Sequence, residues 1–207
     1  MLVALAVCSF AGTETVSVRF RLIAPGSPPG EVAFQQKDQT IRVTVAPDAR
    51  SIVQRYKGPA EVTFSEVAPG GRRFKASLPS SKEPLLLVLT ASSDGAGEVR
   101  IIKDDWESFP TGSTLFVNSG RVPLVLGFGA IEVELLPGDS RLFSDDAAKT
   151  VFVKIQRQSP DGSETVFSSN WASNHSQRAL VLISNDSAEP PKVNVLRVSE
   201  ALPAERK

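Results

Sequence analysis

The chain has 207 residues, with 23 Lys+Arg against 23 Asp+Glu, one His and one Cys. That length accommodates one large β-sandwich or two units of about 100 residues, each able to bury its own core. Zero net charge removes the long-range field that draws a protein onto nucleic acid or an anionic membrane surface, and a lone His175 and Cys8 leave most nucleophilic triads and transition-metal sites short of members.

Leu2 to Ala11 is apolar with small residues toward its end, and it reads as the core and cleavage zone of a truncated secretory leader over residues 1–12, although no Lys or Arg precedes it. It is too short to cross a bilayer, so no integral membrane span is expected. Val7 stands where a lipobox before Cys8 wants a small residue, and cleavage of the leader leaves a chain held by packing without disulfides.

From Thr15 onward, Val16, Val18, Phe20 and Leu22 alternate with Ser17, Arg19 and Arg21, the period-two signature of a strand with one buried face. The Pro- and Gly-rich stretch from Ala24 to Gly30 ends it. Further alternating runs follow at Ile41/Val43/Val45, Ile52 to Tyr56, Val62/Phe64, Phe74/Ala76/Leu78 and Val99/Ile101. Arg72, Arg73 and Lys75 follow a Pro-Gly-Gly turn and read as solvated charge. Leu85 to Leu89 is continuously apolar, which predicts a central strand buried on both faces. The irregular segment from Lys103 to Gly112 then marks a boundary, dividing the chain into a first sandwich at 13–103, a second at 104–198 and a polar, frayed tail at 199–207.

In the second half the pattern restarts at Leu115/Val117, with a hairpin signal at Asn118-Ser119-Gly120, a run at Val122/Leu124/Leu126, a tight turn at Gly127-Phe128-Gly129, and a run at Ile131/Val133/Leu135 before Pro137-Gly138-Asp139. Strands continue at Val151/Val153/Ile155, Val166/Phe167, Leu180/Leu182 and Val193/Val195, with Ser159-Pro160-Asp161-Gly162 as the clearest turn. A faint echo links the halves: Val62-Thr63-Phe64 and Ile131-Glu132-Val133 each lead to a Pro-Gly turn and then to an Arg and a Phe. No window carries helical periodicity, and Ser144 to Lys149 makes at most a single turn.

The expected architecture is all-β: two consecutive antiparallel β-sandwich domains of Ig-like size, with one large β-sandwich as the alternative. The predicted inward residues are Val16, Val18, Phe20, Ile41, Val43, Val45, Leu86, Val88, Val117, Leu124, Leu126, Val153, Ile155, Leu180 and Leu182.

Phe109-Pro110-Thr111-Gly112-Ser113, Phe116-Val117-Asn118 and Leu136-Pro137-Gly138, together with the paired acids Asp104 and Asp105 and with Arg178 opening a late strand, resemble a pattern in uncharacterised secreted bacterial β-sandwich proteins. The resemblance covers about half the chain, mainly residues 104–180, and its motifs are turn-like. It implies an envelope or extracytoplasmic β protein, secreted or periplasmic, and carries over no activity.

Three groups of residues invite chemistry. Asp104, Asp105 and Glu107 flank Trp106, the raw material of a carboxylate-dependent hydrolase or a Ca²⁺ loop, yet neighbouring side chains diverge and the spacing matches no calcium motif. Trp171, near Asn170, Asn174 and Gln177, has the makings of a sugar platform, against the commoner role of a core lid. His175 lies in a hydroxyl-rich stretch from Ser168 to Ser176 with no orienting acid or oxyanion hole in view. Asn174-His175-Ser176 and Asn185-Asp186-Ser187 match a glycosylation triplet, and no Gly-rich phosphate loop is present. The expectation is a non-catalytic binding or structural module of the bacterial envelope, with a protein or glycan partner, no catalytic residues, no metal and no cofactor. The alternatives are a carbohydrate-binding module using Trp106 or Trp171 and a carboxylate-dependent hydrolase. An aromatic exposed in a groove favours the first, and carboxyl groups facing each other across a cleft favour the second.

Overall fold

The computed structural model describes residues 15–26, 29–91, 96–144, 150–159, 162–185 and 191–202. The leader expected at residues 1–12, the single turn expected within 145–149, the middle of the Ser159 to Gly162 turn, most of the Asn185 triplet and the end of the tail lie outside them. Among the described residues the chain is all-β with no helix, and hence has none long and apolar enough to cross a membrane.

Among the described residues, sixteen strands form one eight-stranded and two four-stranded sheets. The first eight are β1 (Thr15–Ile23), β2 (Gly30–Gln36), β3 (Gln39–Val45), β4 (Gln54–Pro59), β5 (Glu61–Glu66), β6 (Arg73–Ser77), β7 (Leu85–Ala91) and β8 (Gly97–Lys103). They pair in the order β3-β2-β5-β6-β8-β7-β1-β4. The remaining eight are β9 (Ser113–Asn118), β10 (Leu124–Phe128), β11 (Ile131–Leu135), β12 (Ser140–Ser144), β13 (Thr150–Ser159), β14 (Gly162–Ala172), β15 (Gln177–Asn185) and β16 (Val193–Ala201). They form sheets β11-β10-β13-β14 and β12-β9-β15-β16.

Counted from its own first strand, each set of eight has the same two runs of neighbours, 3-2-5-6 and 4-1-7-8. In the first set the runs are joined by a parallel pairing of β6 with β8 at Phe74 and Gly97. A Cβ on Gly97 would lie 2.4 Å from the Phe74 ring and 2.6 Å from the Arg73 carbonyl, so only glycine admits this approach. In the second set the runs stay separate. Two of the sheets are mixed, because β1 runs parallel to β7 in the eight-stranded sheet and β9 parallel to β15 in β12-β9-β15-β16, which corrects the purely antiparallel expectation there, while β11-β10-β13-β14 is antiparallel at every pairing. Neighbours so far apart in sequence are set by tertiary packing, and local pattern carries no trace of their direction.

The eight-stranded sheet curls over its own core. Phe20 on β1 meets Phe34 on β2 at 5.6 Å between ring centroids although five steps of the strand order separate them, and Phe64 closes the cluster. The two four-stranded sheets enclose a second core, with Phe116, Val181 and Ile183 from one and Leu124, Leu126, Phe128, Val153 and Ile155 from the other. A third cluster lies between the sets, where Ile23, Leu86 and Val88 meet Val117, Leu180 and Leu182 around Phe109. The outer faces of the two 4-1-7-8 runs are thus packed against each other.

β7 is buried on both faces, Leu85, Leu87 and Leu89 toward the first core and Leu86 and Val88 toward the third, as its continuous apolar run requires. β15 does the same, which the reading of Leu180/Leu182 as a simple alternation missed: Val181 and Ile183 point into the second core, and Leu180 and Leu182 into the junction. Other local readings also change. β2, with buried Val32 and Phe34, follows the Pro-rich turn that masked it. β4 begins only at Gln54, leaving Ile52 78% exposed. Asn118-Ser119-Gly120 is no hairpin, since β9 and β10 lie in different sheets. The Pro-Gly echo compares a true hairpin, β5–β6, with a crossing between sheets, β11 to β12, and the repeated strand order instead matches β5–β6 with β13–β14.

Candidate functional site at the sheet junction

Asp104 to Gly112 links β8 to β9, and its conformation is fixed from within. The Asp105 carboxylate accepts the Glu107 and Ser108 N–H groups at 3.0 and 2.6 Å, and the Phe109 N–H is donated to the Asp105 carbonyl. This is the local capping by which a short acidic side chain organises a turn. Gly112, at φ +69°, donates its N–H to the Gln177 carbonyl at 2.7 Å and ties the linker to the start of β15.

Arg178 on β15 is the centre of the assembly and is 1% exposed. Its Nη2 donates to Asp104 Oδ1 at 2.9 Å and to Glu200 Oε2 at 2.8 Å, its Nε to Glu200 Oε2 at 3.2 Å, and its Nη1 to the Asp105 and Phe109 carbonyls at 3.0 and 3.2 Å. The guanidinium lies 3.7 Å from the Trp106 ring centroid and 4.8 Å from that of Phe109. Two further arginines converge from the first strand set: Arg21 pairs with Glu200, and Arg50, ahead of β4, pairs with Glu200 and lies 3.6 Å from Asp104. Burial pushes the Arg178 guanidinium below its ordinary value, with Asp104 opposing, and brings that of Arg50 down to about 10. Burial drives the Asp105 carboxyl upward, but the hydrogen bonds from Ser108 and Glu107 outweigh it and hold the group below the usual range.

Asp104, Asp105 and Trp106 therefore do come together, and with Arg178, but as a buried ionic bridge between the two strand sets. Asp104 and Asp105 are 4% and 7% exposed. Trp106 is half-buried under Arg178. Trp171 is on β14, stacked on Phe116 of the second core at 5.8 Å with Arg197 over its ring. The stretch read as a hydroxyl-rich loop is strand through Ala172, and His175 is exposed in the turn that follows. Among the described residues no three His, Cys, Asp or Glu side chains are arranged to hold a metal ion.

Sequence reasoning missed Arg21, Arg50 and Glu200. Arg21 looks like any outward residue of an alternating strand, and Glu200 falls in the stretch read as a frayed tail, whereas β16 runs through it to Ala201. Nothing local marks either as half of an ion pair nearly the whole chain long. Comparison with protein-family models and with curated proteins yields no match.

Proposed function

We propose that the chain is a non-catalytic binding or structural module of the bacterial envelope, built of two consecutive β-sandwich units of Ig-like size, 13–103 and 104–198. The observation that carries the non-catalytic reading is the commitment of Asp104 and Asp105 to Arg178 and to the turn, out of reach of solvent. A hydrolytic acid and base need an open approach and a gap that admits substrate or water, which this bridge does not offer. The repeated strand order supports the two-unit reading, and the apolar segment from Leu2 to Ala11 supports placement outside the cytoplasm. A neutral-sugar platform on Trp106 or Trp171 has less support, because an arginine covers each ring. The apolar junction and the ionic bridge suit a scaffold that holds its exposed faces in fixed relation. The test is hydrolysis of chromogenic glycosides and esters and release of reducing ends from soluble polysaccharides. No turnover above buffer is expected, and turnover that disappears in a folded Asp104→Asn variant would refute the reading.

A further inference from the structure

The outer face of β1 changes character along its length. Ile23 lies in the apolar junction, Arg21 meets Glu200 of the second strand set, and Arg19 and Ser17 continue beyond it. The register sets Arg19 directly opposite Arg55 of β4, and Ser17 opposite Lys57. Like charges directly opposed across an antiparallel pair are destabilising. Arg19 donates to the Lys82 carbonyl at 3.3 Å, which brings a fourth cation to the same place. All four side chains are exposed, and among the described residues none forms an ion pair with a carboxylate. In a chain of zero net charge, whose Arg21, Arg42, Arg50, Arg72, Arg157 and Arg178 all meet acids, this is a local concentration of uncompensated positive charge.

These residues line a cleft of about 760 Å³. Its other lining residues are the polar Ser17, Gln36, Ser80 and Ser81 together with Val18 and Tyr56. Ser80 adds an exposed hydroxyl. We propose that this cleft binds an anionic glycan, whose carboxylate or sulfate groups meet Arg19, Arg55, Lys57 and Lys82 and whose hydroxyls meet Ser80. Charge alone would also admit a nucleic acid, but single strands are held by exposed aromatics that stack on bases. The aromatic here, Tyr56, is 3% exposed and donates its hydroxyl to the Pro59 carbonyl. The proposal rests on the binding reading above and names the class of partner.

The experiment is calorimetric titration of the full chain with dextran sulfate and polygalacturonate oligosaccharides, with neutral dextran and a single-stranded DNA oligomer of matched charge as controls. Binding of either anionic glycan without binding of neutral dextran is expected, and the arm that binds more tightly identifies sulfate or carboxylate as the preferred group. Affinity should fall as salt screens the exposed cations. Arg55→Gln with Lys57→Gln should weaken binding at least about tenfold, as expected when charge-assisted hydrogen bonds are removed. The double variant should keep its melting temperature or raise it, because both side chains are exposed and Arg55→Gln relieves the repulsion with Arg19, so lost binding cannot be put down to unfolding. Failure of both anionic glycans to bind, an unchanged affinity in the double variant, or DNA binding as tight as glycan binding would each overturn the proposal. Shortening of the probe during the titration would instead overturn the non-catalytic reading and leave the binding site standing.

Discussion

Arg178→Met is the sharpest probe of the junction. Methionine keeps an apolar stem between Trp106 and Phe109 but removes every donor of the guanidinium. Asp104 Oδ1 and Glu200 Oε2 lose partners at 2.9 and 2.8 Å, and the Asp105 and Phe109 carbonyls lose theirs. The Asp104 side chain is 3% exposed and would keep only Arg50, at 3.6 Å. Removing one member of a buried pair costs about 3–5 kcal/mol, because the remaining charge is stranded. Glu200, whose side chain is 20% exposed and still meets Arg21 and Arg50, recovers part of its hydration, which places the expected loss near the lower figure, about 3 kcal/mol. Urea denaturation followed by tryptophan fluorescence should show the midpoint falling by about 1.5 M for an m-value of about 2 kcal/mol/M. Arg50→Met should cost clearly less, since its Nε already lacks a partner and both acids retain Arg178. A loss below about 1 kcal/mol for Arg178→Met, or equal losses for the two variants, would refute the assignment of Arg178 as the centre of the bridge.

Two further outcomes follow from the packing and the charges. Leu182→Ala, at a fully buried junction position, should cost about 2–5 kcal/mol by calorimetry or denaturant melt, and a loss under about 0.5 kcal/mol would show that the two strand sets are not packed through this face. Because Asp105 is held below its usual carboxyl range in the fold, the unfolded chain takes up the proton first as pH falls, so its contribution is complete above the unfolded value of about 3.9 and is lost on further acidification. Stability measured against pH should therefore decline below about pH 4. The decline should be shallower in Asp105→Asn, and an unaltered slope would contradict the assignment.

What the sequence determined by itself was local. Period-two alternation identified strands such as β1, because a half-buried strand must place every second side chain in the core, and the unbroken Leu85 to Leu89 run identified a strand covered on both faces. The chemistry-bearing residues Asp104, Asp105 and Trp106 were also visible, as an acidic, aromatic interruption between strand runs. Their role was not. It depends on Arg178, more than seventy positions away, and on Arg50 and Glu200, which are separated from each other by 150 positions and brought together only when the two sets pack through Ile23, Leu86, Leu180 and Leu182. Strand direction and sheet membership were equally beyond local pattern, since alternation is the same in parallel and antiparallel strands and in hairpins and crossings; hence the missed β1–β7 pairing and the false hairpin at Asn118. The cationic cleft belongs to the same class. Arg19, Arg55, Lys57 and Lys82 each look like ordinary solvated charge in the sequence, and only the register of β1 against β4 sets two of them face to face.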